Sequence, residues 1–201
     1  MLHLETGRPI SAITYTDGER AAQVLHRLWM KLVAGGASCA GFVQRDDVPV
    51  DGGSRCDMVL ECVSTGERVK ISENRGRFAR GCRLDMAELM RALSKARNAL
   101  LAKPDVLIVN KFGKSEGEGG GFRPLIADAI ERAIPVLIAV PWRNIESWRL
   151  FAGELANEVT VEALQPEYDR ELLLALGISF SPGTDAASQW PEVPLPGKHP
   201  G

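Results

Sequence analysis

Val106-Leu107-Ile108-Val109 is apolar at every position, and Ile134 to Val140 likewise carries no charged or hydrogen-bonding side chain. A strand with one wetted face alternates apolar and polar residues, so unbroken runs of this length mark strands covered on both faces. Stripes with the 3.6-residue period of a helix lie between and around them. Ala21, Val24, Leu25, Leu28 and Leu32 make one; Leu89, Leu93, Ala96 and Leu100 a second; Leu125, Ile126, Ala129, Ile130 and Ala133 a third. Strands alternating with helices imply an α/β fold: a three-layer, mainly parallel sheet with helices on both faces.

The punctuation fills in the order. Ile10 to Tyr15 reads as a strand, and Asp17 as the N-cap of a helix to about Val33, stopped at Gly35-Gly36. Ser38 to Gln44 reads as the next strand, followed by a polar loop, Arg45 to Arg55. Asp57–Val63 and Glu67–Ile71, joined at Ser64-Thr65-Gly66, read as a β-hairpin inserted into the parallel order. Asp85-x-x-Glu88 resembles a capping box at the start of the second helix. A helix capped by Asn144 through about Phe151, a strand near Val159–Val161 and a helix at Pro166–Leu176 complete the order. The expected organisation is one domain over residues 1–176 and an irregular Pro/Gly/Ser-rich tail over 177–201.

Composition narrows the function classes. A net charge of −2 gives no general attraction to nucleic acid or an anionic membrane, so any anion site must be local. No apolar run approaches the ~20 residues of a membrane span. Met1 to Ile10 lacks a basic flank before an apolar core, so no signal peptide is read and the cytoplasm is the expected compartment. The four cysteines form no Cys-x-x-Cys pair, which favours reduced thiols, and Cys39 reads as a small core residue. No metal site is assigned; Cys56, Cys62 and Cys82 are the candidates a soft metal would use.

The loop after Val109, Asn110-Lys111-Phe112-Gly113-Lys114-Ser115-Glu116 followed by glycines to Gly121, is the first candidate for chemistry. Open α/β sheets bind ligands at the carboxyl ends of their strands. The first strand-turn-helix is where a nucleotide-binding domain would carry its phosphate loop, G-x-x-x-x-G-K-[ST]. Here Thr14 to Ala21 has the single glycine Gly18, no Lys-Ser/Thr pair, and carboxylates at Asp17 and Glu19 that repel a triphosphate; Arg20 is its one basic residue. Arg75, Arg77, Arg80 and Arg83 crowd the approach to the second helix, and guanidinium forks suit oxyanions. Cys82 lies among them, where either a reactive thiol or a small packing residue fits.

Gly41-Phe42-Val43-Gln44, Cys56-Asp57-Met58-Val59-Leu60, Gly81-Cys82-Arg83-Leu84-Asp85 and Asn110-Lys111-Phe112-Gly113-Lys114-x-Glu116 together resemble a bacterial domain-of-unknown-function family. The resemblance implies a setting near molybdenum-uptake genes. More distantly, the order of segments resembles the THEP-type nucleoside triphosphatases, phosphate-loop proteins with a central β insertion. In that type the strand motif ends Asp-Glu-Ile-Gly-x-Met-Glu; the first carboxylate helps hold magnesium and the second activates water. This chain places Asn110 and Lys111 there, while Gly113 and Glu116 still match. Magnesium-assisted phosphoryl transfer needs the groups so replaced.

The reading is therefore a nucleotide- or oxyanion-binding accessory or regulatory protein with degenerate triphosphatase machinery, linked by resemblance to molybdenum uptake or handling. Its expected ligand is a small anion, a nucleotide or a molybdate-like oxyanion, with a protein partner in molybdenum handling. The expected site is Asn110, Lys111, Gly113, Lys114 and Glu116, with Arg80, Arg83, Gly18 and Arg20. One alternative is a non-standard nucleoside triphosphatase with Glu116 or Glu118 as base and Asp17 or Asp85 on a metal. The other is a protein-protein adaptor using Trp142, Trp148 and Trp190.

Overall fold

The computed structural model describes residues 7–44, 58–72 and 84–177. Five strands run parallel: β1 (Ile10–Tyr15), β2 (Cys39–Gln44), β5 (Val106–Val109), β6 (Val136–Pro141) and β7 (Ala156–Thr160). The hairpin β3 (Val59–Cys62) and β4 (Arg68–Lys70) extends the β2 edge antiparallel, giving the order β4-β3-β2-β5-β6-β1-β7. The architecture is a mostly parallel seven-stranded α/β sheet, consistent with a phosphate-loop-like fold. Gly66 closes the hairpin turn with φ +71, its N–H donating to the Cys62 carbonyl.

Helices α1 (Gly18–Ala34), α2 (Met86–Leu100), α4 (Arg123–Glu131), α5 (Ile145–Ala152) and α6 (Asp169–Ala175) cover the sheet, with one short turn of helix, α3 (Lys114–Gly117), before α4. The alternation of side chains along a strand sorts them to two faces. Ile10, Ala12, Phe42, Leu107, Val109, Ile138 and Val140 pack under α2, α4 and α5. Ile13, Cys39, Val43, Ile108 and Leu137 pack under α1 and α6. Every residue of β5 and β6 is buried, as their unbroken apolar runs require. Edge strand β7 begins at Ala156 rather than near Val159; its Glu158 and Thr160 are exposed, so it lacks the unbroken apolar run of a strand covered on both faces.

Two devices fix local geometry. Gly41 sits at φ +107 with its backbone against β5; a Cβ there would lie 1.9 Å from the Ile108 carbonyl oxygen. Asp169 is fully buried yet ionically paired, its carboxylate taken by Arg27 Nε at 2.8 Å, Arg27 Nη2 at 2.9 Å and Lys31 Nζ at 2.8 Å. This triad straps α6 to α1. Cys39 is a buried core residue whose thiol is pushed up to about 12 by burial and by the nearby Asp105 carboxylate.

Two expected caps differ from their sequence reading. Asp85 caps α2 through the Ala87 and Glu88 amides, but the reciprocal half of the box is not made. Its own N–H donates to the Ile71 carbonyl, and the Glu88 carboxylate pairs with Arg91. Asn144 precedes α5 without capping it; its Nδ2 donates instead to the Phe112 carbonyl at 2.9 Å, tying the loop after β5 to that after β6.

Candidate functional site

β1 is followed by α1 on one face of the sheet, and its neighbour β6 is followed by α5 on the other. Adjacent strands whose continuations part in this way leave a crevice at their carboxyl ends. An open cavity of about 440 Å³ lies there, within the range of small-molecule sites. Each of the four central parallel strands supplies its last or next residues: Tyr15 and Thr16 from β1, Gln44 from β2, Asn110 and Lys111 from β5, and Trp142 and Arg143 from β6. Gly18, Ala21 and Ala22 add the first turns of α1. Among the described lining residues Lys111 and Arg143 are the charged ones, and none is acidic.

Hydrogen bonds order this floor. Asn110 Oδ1 accepts from the Gln44 backbone N–H and its Nδ2 donates to Gln44 Oε1, both at 3.0 Å, so the amide clamps the ends of β2 and β5 together. Lys111 Nζ donates to the same Gln44 Oε1 at 3.4 Å. That positions the ammonium against the clamp and leaves it further donors to offer. Burial raises the Tyr15 phenol above its ordinary pKa, while the charge of Arg143 draws it back down.

The start of α1 is already occupied. Asp17 Oδ1 accepts from the Glu19 N–H at 3.0 Å and the Arg20 N–H at 3.2 Å. In a phosphate loop such amides point at phosphate oxygens; here the chain's own carboxylate takes them. Arg20 is exposed and does not line the cavity, whereas Gly18 does.

The glycine-rich loop is folded around a buried carboxylate. Glu116 is 5% exposed, with Oε2 accepting the Gly113 N–H at 2.7 Å and Oε1 the Phe122 N–H at 2.9 Å. Gly121, at φ +57, lies so close that a Cβ would fall 2.0 Å from Glu116 Oε1. The glycines let the backbone wrap a buried carboxylate. Glu116 and Gly113 thus brace the loop and do not line the cavity, and Lys114 points to solvent, 3.6 Å from Glu118. Of the loop residues expected at the site, Asn110 and Lys111 reach it. Arg80, Arg83, Cys56, Cys82 and Trp190 lie outside the described residues. Trp148 is fully buried against Phe112 and Phe151, so it is core and not an adaptor surface.

Tyr15, Gln44 and Arg143 are not among the residues the sequence singles out for a site, and Trp142 is singled out only for an adaptor surface. The signal that would have found them is the one that found Lys111: each lies at or just beyond the end of a buried parallel strand. Cys62 is buried; burial raises its thiol pKa, but hydrogen bonds with the Ser64 and Thr65 hydroxyls and amides outweigh this and lower it. Among the described residues no helix is long and apolar enough to cross a membrane.

The family model described as "Protein of unknown function (DUF2478)" matches residues 10–167, and the chain belongs to that family. A stretch of 155 residues, 76% of the chain, is 32% identical to the protein named "Molybdenum import ATP-binding protein ModC 2" of Bradyrhizobium diazoefficiens. The match covers 17% of that protein's length. No solved structure matches the chain.

Proposed function

We propose that this DUF2478 member binds a small anion, a nucleotide or oxyanion, in the cavity between β1, β5 and β6. On this reading it serves as an accessory or regulatory module of molybdenum import or handling. The observation that carries the proposal is the lining: two cations, Lys111 and Arg143, facing a 440 Å³ cavity with no carboxylate among the described lining residues, in a chain of net charge −2. An ammonium and a guanidinium in one crevice favour an anion there over the bulk of the surface. The molybdenum link is supported by the relative named for molybdenum import, which carries a stretch like this chain within a much longer polypeptide.

The same features weigh against ordinary triphosphate hydrolysis. Asp17 fills the amides that would cradle phosphates, and the described lining residues include no carboxylate to hold magnesium. Glu116, the candidate base of the enzyme alternative, spends both oxygens on backbone amides. The degenerate phosphate loop is on this account a remodelled anion site, with side chains doing what backbone amides do elsewhere.

Thermal unfolding against millimolar phosphate, molybdate and MgATP tests the reading. A ligand at ~100 times its dissociation constant stabilises by about 2.7 kcal/mol. That raises the midpoint by roughly 5–11 °C at about 2–4 °C per kcal/mol. Lys111→Glu should abolish the rise while leaving the ligand-free midpoint nearly unchanged. No rise with any of the three would overturn the proposal, and magnesium-dependent turnover lost in Glu116→Gln would favour the enzyme instead.

A further inference from the structure

Resting on that anion reading, we infer that the ligand carries a flat aromatic ring as well as its negative charge, in the manner of a mononucleotide, and that Trp142 is the surface on which the ring stacks. A compact tetrahedral oxyanion fills only a small part of 440 Å³, whereas cavities of this size ordinarily take organic ligands. The cavity is also amphipathic. Beside Lys111 and Arg143 it presents the rings of Trp142 and Tyr15 and the apolar atoms of Ala21, Ala22, Ala139 and Pro141. A bare oxyanion has no use for those walls.

Trp142 is the distinctive wall. It is 51% exposed, while Trp29 and Trp148 are 8% and 0% exposed. A half-exposed indole at the wall of a cavity offers a flat face on which an aromatic ring can stack. Its pose is held from outside the cavity. The Arg149 guanidinium lies 5.9 Å from the ring centroid, and Arg149 is itself gripped by the Glu158 carboxylate, Nη2 to Oε2 at 2.7 Å and Nε to Oε2 at 3.1 Å. A guanidinium so fixed orients the ring through the cation–π interaction. Arg143 follows Trp142 directly in the chain, so the stacking surface and an anion-binding cation sit on one short turn after β6. That adjacency suits a ligand whose ring and phosphate are joined through a sugar.

The test is isothermal titration of the full chain with AMP, ribose 5-phosphate and inorganic phosphate, in the native protein, Trp142→Ala and Trp142→Phe. Stacking on an aromatic side chain contributes about tenfold or more in affinity per base. AMP should therefore bind at least about tenfold more tightly than ribose 5-phosphate; Trp142→Ala should close that gap and Trp142→Phe should keep most of it. Because the side chain is half in water, both variants should retain the native urea midpoint. Equal affinity for AMP and ribose 5-phosphate, or a gap that survives Trp142→Ala, overturns the inference. If phosphate binds and the base adds nothing, the stacking role alone falls. If none of the three binds, and molybdate also fails, the anion site falls with it.

Discussion

Replacing Glu116 with alanine separates a brace from a base. The side chain accepts two backbone N–H groups, Gly113 at 2.7 Å and Phe122 at 2.9 Å, from a position 5% exposed. Hydrogen bonds to a charged group contribute roughly 1.5–3 kcal/mol each. Phe122 is buried, so its N–H would be left without a partner; Gly113 is half-exposed, so water would replace part of what its N–H loses. Desolvation of the native carboxylate offsets some of the total. The expected net loss is about 2–4 kcal/mol by urea unfolding. Gly121→Ala supplies the internal control. A Cβ there meets Glu116 Oε1 at 2.0 Å and also forces alanine to φ +57. In the Glu116→Ala background the clash is gone and only the left-handed backbone cost of about 1–2 kcal/mol remains. The two substitutions should therefore be strongly non-additive, the double variant being more stable than the sum of the singles implies. A Glu116→Ala loss under about 0.5 kcal/mol, or strict additivity with Gly121→Ala, would refute the reasoning that the glycines exist to wrap this carboxylate.

The remaining expectations concern the strap and the cavity. Asp169→Ala should cost on the order of 3 kcal/mol in urea unfolding, since it leaves Arg27 and Lys31, 25% and 20% exposed, facing an emptied buried site. A loss near zero would mean that α6 is held by its apolar face alone. In Arg143→Ala the Tyr15 phenol should titrate at higher pH than in the native chain, followed by ultraviolet absorbance with Tyr15→Phe as the reference, because the Arg143 charge is what lowers it against burial. An unchanged midpoint would place Arg143 away from Tyr15.

Much of the framework is legible in the residues because it follows from burial. The apolar runs of β5 and β6 have no other solution than strands covered on both faces, and Asp17 and Asp85 cap the helices they precede. The site is legible only in half. Asn110 and Lys111 follow a conspicuous strand and announce themselves. Arg143 follows β6 just as directly, but Trp142-Arg143-Asn144 looks like any helix approach until β6 is seen beside β1. Which strand lies next to which is set by long-range pairing, and no local pattern encodes it. The glycine-rich loop misleads for a related reason. Its composition signals close backbone approach, and the group approached is the Glu116 carboxylate, five residues before Gly121. Glu116 reads in sequence as a ligand-site residue or a base because its bond to the Phe122 N–H, six residues on, has no local signature.

The most direct measurement is isothermal titration of phosphate, molybdate and ATP into the native chain, Lys111→Ala and Arg143→Ala, with urea midpoints recorded for each. At least one of these anions should bind the native chain, and each single substitution should weaken it by about tenfold or more, the equivalent of roughly 1.4 kcal/mol, at an unchanged midpoint. Native affinity retained in both variants would contradict it, because the anion would then be held somewhere other than the cavity between Lys111 and Arg143.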